Sequence, residues 1–280
     1  MKKLFTLLLT VIMGLCACFG LTACGKTFTG FDIELASSVF EYLSAEYGAN
    51  IRVEFQEINW DSKEALLENG SIDLVWNGMT ITEERAENMC ISIPYLYNKQ
   101  VAVVRAADAT KYTTVASMAT ANVGAEAGSA GEDVIEAQSI GKEYIEAPSQ
   151  LDALTQLNNG TIDVAVIDSV MAGYYTSNGV YKDKLVMVSD LVLATEEYGI
   201  AAKKGNESLI AKINEALIGL RETRYAEIGN DFGLTSSLCI TADTTNPLAN
   251  ATDSSWAKVV DSAKIVIGYT VFAPIAFYAE

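Results

Sequence analysis

The chain has 280 residues, half of them apolar, with 36 acidic against 19 basic side chains, a net charge of −17 and no histidine. That charge makes the average surface repel phosphate backbones and anionic lipid, which argues against nucleic acid as a partner. The missing histidine excludes Ser-His-Asp and Cys-His triads and most transition-metal sites, so no metal or cofactor is expected. With only 4 Pro and 20 Gly, the length suits one large or two medium globular domains.

Lys2 and Lys3 precede an apolar run from Leu4 to about Gly20, too short for an ordinary membrane span. Leu21-Thr22-Ala23-Cys24 then resembles the lipoprotein signal motif, in which the cysteine becomes the first mature residue and carries acyl chains. Residues 1–23 are therefore expected to be a lipoprotein signal peptide, with an uncleaved anchor as the alternative. Cys24 is expected as the lipidation site, holding the protein on the extracytoplasmic side of the membrane, periplasmic or cell-surface. Of five cysteines, Cys16 and Cys18 leave with the signal and Cys24 takes lipid. Cys90 and Cys239 are left either to pair or to stay as two buried thiols.

Residues 31–47 read as a helix, with Ile33, Leu35, Ala36, Val39, Phe40 and Leu43 at helical spacing and Gly48 as the stop. Residues 51–55 alternate as a strand with one solvated face. A repeat follows: Leu67-Glu68-Asn69-Gly70-Ser71-Ile72-Asp73-Leu74-Val75 and Leu157-Asn158-Asn159-Gly160-Thr161-Ile162-Asp163-Val164-Ala165. Each copy ends a helix, turns on Asn-Gly and begins an apolar strand, at 72–76 and 162–167, of the kind buried on both faces of a parallel sheet. Asp61 or Ser62 and Ser149 are the helix start signals. Two similar α/β lobes follow. The stretches 100–104 and 198–202 flank the central block as paired connections between lobes, and 209–228 reads as one more helix, with Ile210, Ile213, Leu217 and Leu220 on one face.

In open α/β sheets ligands bind beyond the carboxyl ends of strands. The first repeat strand runs into Asn77-Gly78-Met79-Thr80, read as a loop, and then Thr82, which can cap a helix whose first turn carries Arg85. A guanidinium beside the loop amides and the Thr80 hydroxyl makes a bidentate carboxylate receptor; the plainer reading is an exposed arginine on a solvated helix. The second repeat strand ends in Asp168, which either meets a primary ammonium or caps the next helix. Residues 123–131 read as a strand and a small-residue loop opening a helix at Glu132, an anion site of backbone amides. An arginine with amides on one lobe and a carboxylate on the other suit one zwitterion, an α-amino acid held at both ends.

The segments GFDIELA (30–36), NGMTITEER (77–85), SIPY (92–95), VGAEAGSAGED (123–133), AVIDSVMA (165–172) and YGIAAKKG (198–205) resemble the polar amino-acid solute-binding proteins of ABC importers. The likeness runs from about 29 to 234. It implies a two-lobed periplasmic-binding-protein-like (type II) α/β fold with a Venus-flytrap hinge. The protein would be the extracytoplasmic amino-acid-binding component of an ABC importer, not an enzyme, delivering its ligand to membrane permease subunits as a monomer. By the resemblance Arg85 binds the α-carboxylate with Thr80 and the amides around Ser129 and Ala130. Asp168 takes the α-amino group, Asn77, Gly78 and Met79 belong to the pocket floor, and Trp60 is an aromatic wall, although a core tryptophan is the plainer reading.

The ends depart from the pattern. Family members begin with a strand that leads through a turn into the GFD helix, and between Cys24 and Gly30 there is no room for it. Residues 264–280 look like that strand and turn. A circular permutation is expected, with the first strand supplied by the C-terminal tail and Phe272 facing Trp60 across the ligand. The division is lobe 1 at 24–104 and 198–234, lobe 2 at 105–197, a linker at 235–262 and the permuted strand at 263–280. Strand exchange with a neighbouring molecule, or the start of a second binding domain, are the alternatives for the tail. On function, the rivals are an extracytoplasmic dehydratase of cyclic amino-acid precursors on the same fold and a ligand-sensing domain. Gly268-Tyr269-Thr270 stands where members that select basic side chains often carry an acid, which suggests a neutral polar amino acid or cystine.

Overall fold

The computed structural model describes residues 22–23, 26–177 and 180–279. Cys24 and nearly all of the expected signal peptide lie outside the described residues. In chain order the first half contains β1 (Thr22–Ala23), β2 (Lys26–Thr29), α1 (Phe31–Tyr47), β3 (Arg52–Glu57), α2 (Lys63–Asn69), β4 (Leu74–Thr80), α3 (Glu83–Asn88), β5 (Met89–Ile91) and β6 (Leu96–Arg105). There follow β7 (Asn122–Glu126), α4 (Ala130–Gln138), β8 (Glu143–Ala147), α5 (Gln150–Asn159), β9 (Val164–Asp168), α6 (Ser169–Ser177) and β10 (Leu185–Lys203). The last part holds α7 (Glu207–Leu220), α8 (Ala226–Asp231), α9 (Ser255–Ser262), β11 (Lys264–Tyr269) and β12 (Phe277–Ala279). Among the described residues no helix is long and apolar enough to cross a membrane.

The main sheet runs β3-β11-β4-β10-β6-β9-β7-β8, with β5 added on β10. Its two halves are the two lobes, and they mirror each other. Lobe 1 reads β3-β11-β4-β10 and lobe 2 reads β8-β7-β9-β6, with a parallel three-strand core in each. The 19-residue β10 joins them: Tyr198 pairs with Thr80 of lobe 1 and with Leu96 of β6, and β6 and β10 run antiparallel as the crossing ribbon. Helix α1 has the expected bounds, buries Leu35, Ala36, Val39, Phe40 and Leu43, and ends on Gly48 in the left-handed region.

The repeated sequence does the same work twice. Gly70 and Gly160 terminate α2 and α5 in left-handed conformations, and the strands begin two residues later than the apolar pattern suggests. Asp73 donates its amide to the Val266 carbonyl at 2.9 Å and accepts the Val266 amide on its carboxylate at 2.8 Å. Asp163 clasps Asn122 in the same way, at 2.8 and 3.1 Å. Two registers further on, Gly268 and Gly124 lie on the central strands where a Cβ would come within 2.7 Å of Ile72 and Ile162, the isoleucines of the two repeats. These strands are glycine there because the repeat isoleucine occupies the space.

The segment after β11 closes over the start of α1. Phe31 and Asp32 donate their amides to the carbonyls of Pro274 and Ile275, which satisfies N-terminal groups that a helix leaves without internal partners. Strand β12 then pairs antiparallel with β2, with Ala279 opposite Thr27.

Two expected segments differ. The stretch 209–228 is not one helix: α7 and α8 are separated by a wide turn at 221–225 around Thr223, whose φ/ψ of −125°/−109° is not helical. The expected linker at 235–262 is packed and partly helical, because its polar groups find fixed partners on α7. Asp253 accepts the Ser208 amide at 2.6 Å and the Ser255 amide at 2.9 Å, and Asn246 donates to the Ala211 carbonyl at 2.8 Å. Cys90 and Cys239 are free thiols, the first buried and the second half-buried.

Candidate functional site

A cavity between the lobes is lined from lobe 1 by Trp60, Asn77, Gly78, Thr80, Arg85, Thr270 and Phe272, and from lobe 2 by Gln100, Glu126, Ser129, Ala130, Gln150 and Asp168. The enclosed space is ≈ 20 Å³, room for about one water, so the lobes are closed on each other. A wider groove of ≈ 950 Å³ runs between the lobes past Tyr97, Tyr174, Met187 and Phe232, but neither an arginine nor a buried acid lines it. The charged receptor groups are all in the smaller cavity.

Arg85 is placed by its own helix start. Thr82 caps α3 by accepting the Arg85 amide at 3.1 Å, and the side chain runs inward to 7% exposure. Nη1 donates to the Thr80 carbonyl at 2.9 Å, while Nη2 reaches the Gly128 carbonyl of lobe 2 at 3.2 Å and lies 3.7 Å from Asp133. The plainer reading of a solvated surface arginine does not survive this burial. Ser129 caps α4, and with Ala130 it brings the start of that helix to the cavity. The Ser129 and Gly128 amides are taken, however, by the Glu126 carbonyl and the Glu132 carboxylate.

Asp168 ends β9 at 4% exposure and faces amide donors instead of capping α6. Gln150 donates to Oδ2, and Gln100 and Asn98 both donate to Oδ1 at 2.6 Å. The capping role falls to Asn98, whose Oδ1 accepts the Val170 amide at 3.3 Å. The same two amides also serve Glu196: Gln100 at 2.9 Å, and Asn98 in a shorter contact. Burial, with the Glu196 carboxylate beside it, holds the Asp168 carboxyl well above the usual range. A paired acid of this kind calls for a proton or a cation, and Gln100 Oε1, buried without a partner, offers that cation a further acceptor.

Residues 77–80 are not a loop but the carboxyl end of β4. Gly78, at φ 63°, donates its amide to Asp32 Oδ2 at 2.9 Å, so this amide is not available to a carboxylate. Asp32 also accepts Tyr95 OH at 2.8 Å, and burial pushes its carboxyl up to about 7. Asn77 Oδ1 accepts both the amide and the hydroxyl of Thr270, which leaves its Nδ2 buried without a partner. The Thr80 hydroxyl donates to Glu196 at 2.8 Å. Met79 does not line the cavity: strand alternation turns it into the lobe 1 core beside Trp60, Leu67 and Ile72. Trp60 and Phe272 both line the cavity, and the Phe272 ring lies where a side chain on Gly78 would stand.

Sequence reasoning missed Gln100, Glu126 and Gln150 in the lining, and Asn98, Glu196 and Lys63 behind it; Thr270, weighed only for side-chain specificity, also lines the cavity. Glu126 carries a signal in the sequence, an acid at the end of an otherwise small and apolar strand. It is 3% exposed, its Oε1 has no partner, and burial raises its carboxyl to about 8. Lys63 on lobe 1 is also buried and crosses the cleft to donate to the Gly128 carbonyl at 3.0 Å. Its ammonium is lowered to about 8 by burial and then by Arg85.

Residues 17–235 match the bacterial extracellular solute-binding proteins, family 3. The chain belongs to this family. A probable histidine-binding protein of Neisseria gonorrhoeae is 31% identical over 199 residues, 69% of this chain and 70% of that protein. The crystal structure of a substrate-binding protein of an ABC uptake transporter from Streptococcus pneumoniae, with bound histidine, superposes with a TM-score of 0.66 at 36% identity, covering 74% of this chain and 85% of its own. An ancestral amino-acid-binding protein, a precursor of cyclohexadienyl dehydratase, does so at 0.63 with 26% identity over 72% and 84%. The two-lobed binding-protein architecture of the family 3 proteins is thus the architecture of this chain.

Proposed function

We propose that this family 3 protein is the amino-acid-binding component of an ABC importer, closing on the α-carboxylate and α-ammonium of one ligand and presenting the closed form to a membrane permease. The observation that carries the reading is a single cavity lined by a buried arginine of lobe 1 and a buried acid of lobe 2. Among the described residues neither charge has an oppositely charged, equally buried partner. A ligand touching both lobes gains differential affinity only when they meet, which drives closure. In this reading Arg85 and the start of α4 at Ser129 and Ala130 hold the carboxylate. Asp168, backed by Glu196, takes the ammonium, with Asn77 and Gly78 below and Trp60 and Phe272 as walls. The protein acts as a monomer, anchored by lipid at Cys24, and it binds without turnover.

Thermal unfolding against the common amino acids and prephenate-like compounds tests this. A ligand at 100 times its Kd adds about 2.7 kcal/mol of apparent stability. Stabilisation by an α-amino acid without product formation is expected; turnover of a prephenate-like compound, or indifference to every amino acid, would overturn the reading.

We also read the chain as circularly permuted, with lobes at 24–104 with 198–234 and at 105–197, β6 at the end of the first range crossing over to pair with β9 of lobe 2. Internal symmetry supports this. In lobe 2 the chain order is β7, α4, β8, α5, β9, and the matching elements of lobe 1 are β11, α1, β3, α2, β4, of which β11 alone is out of order. Joining residue 279 to residue 26 by a short turn and opening the chain within 235–254 should give a folded monomer of unchanged ligand preference. A variant that aggregates or dimerises would favour strand exchange instead.

A further inference from the structure

Three ionisable side chains line the cleft cavity: Arg85, Asp168 and Glu126. The carboxylate and ammonium of an α-amino acid answer the first two, which leaves one acid over. We propose that Glu126 selects the ligand's side chain, and that this side chain is cationic, the guanidinium or terminal ammonium of a basic amino acid. The inference rests on the amino-acid reading of the cleft and adds to it the class of ligand.

Among the described residues none supplies the missing charge by contact. Lys63 is close enough to influence Glu126, yet the two form no ion pair within 4.0 Å. The Lys63 ammonium is committed to the carbonyls of Gly128 at 3.0 Å and Trp60 at 3.4 Å, and Lys63 is not among the lining residues. Glu126 Oε1 is buried with no hydrogen-bond partner, an arrangement that is costly unless a donor arrives from outside the protein. Of the bodies that enter this cleft, a ligand bearing N–H donors and a positive charge satisfies it best. Trp60 and Phe272 in the same lining offer aromatic surface, which suits the stem of a long side chain; the Lys63 ammonium already lies 5.2 Å from the centroid of the Trp60 ring, so Phe272 is the ring left to meet a ligand cation.

The mirrored lobes fix where this acid stands. Gly124 and Gly268 occupy equivalent registers, opposite Ala165 and Val75, so Glu126 stands in lobe 2 where Thr270 stands in lobe 1. The acid therefore lines the cavity from the strand end that corresponds, across the cleft, to Thr270.

Isothermal titration of the mature protein at neutral pH with L-arginine, L-lysine, L-citrulline and L-glutamine decides the matter, because citrulline matches arginine in shape without its charge. Arginine or lysine should bind about ten- to a hundredfold more tightly than citrulline and glutamine, the range of a charge-assisted hydrogen bond. Glu126→Gln should remove that preference by bringing arginine and lysine down to the affinity of citrulline, and Glu126→Asp should retain it. Ligand-free unfolding of both variants checks that they fold. Equal affinity for arginine and citrulline, or a preference unchanged in Glu126→Gln, overturns the inference and leaves the amino-acid reading standing. If no α-amino acid binds at all, the amino-acid reading fails and the inference falls with it.

Discussion

Asp73 and Val266, 193 positions apart, exchange two hydrogen bonds: the Asp73 amide to the Val266 carbonyl at 2.9 Å, and the Val266 amide to the Asp73 carboxylate at 2.8 Å. The tail strand is thereby keyed into lobe 1 by the aspartate of the repeat. Asp73→Ala should cost about 1–3 kcal/mol, because the Val266 amide loses its partner, and Asp163→Ala in lobe 2 should cost a comparable amount. Urea unfolding of the two variants measures both, and a negligible loss in either would contradict the clasp.

Packing on the same strand makes a second expectation. A methyl group on Gly268 would come within 2.7 Å of Ile72 Cδ1, so Gly268→Ala should destabilise the protein by about 1–3 kcal/mol. Adding Ile72→Val removes the offending methyl and should recover part of the loss. Non-additive unfolding energies for the pair are the readout.

For the receptor groups, Arg85→Ala and Asp168→Asn should each weaken the best amino-acid ligand by at least about 2–3 kcal/mol, since each leaves a ligand charge unpaired in a dry cleft. Their effects on the empty protein should diverge. Asp168 sits among acids and is held well above its usual pKa, so Asp168→Asn should leave ligand-free stability unchanged or higher. Calorimetric binding paired with ligand-free unfolding separates the two effects.

The ligand-free protein should lose stability as pH rises from about 4 to about 7. Asp32 is raised from 3.8 to about 7 and Glu126 from 4.5 to about 8, both by burial, and Asp168 shifts the same way. In that window the folded state holds protons that the unfolded chain has released, so the slope of stability with pH is negative. Lys63, lowered from 10.5 to about 8, acts with the opposite sign and only above that value. Midpoints of thermal unfolding across pH 4–8 should fall, and Asp32→Asn should flatten the fall below pH 7. Stability rising over the same range would contradict the burial of these acids.

Much of the molecule was legible in one dimension because its causes are local. The bounds of α1, the left-handed glycines after both repeats and the Thr82 cap that places Arg85 are all set by sterics and hydrogen bonds within a few residues. The same holds for the apolar strands, whose runs of Val, Ile and Leu report burial on both faces. Even Asp168 could be singled out, as an acid closing a buried run.

Tertiary structure decided which distant groups meet. Local pattern gave no hint that Asn98 and Gln100 would bind Asp168 and Glu196 together, or that Gly78 would give its amide to Asp32. Nor did it show that 235–262 would pack on α7, or that Met79 would turn from the cleft. Periodicity assigns a residue to a face; the partner on that face comes from another part of the chain, and only the folded arrangement of both lobes brings the two within hydrogen-bonding reach.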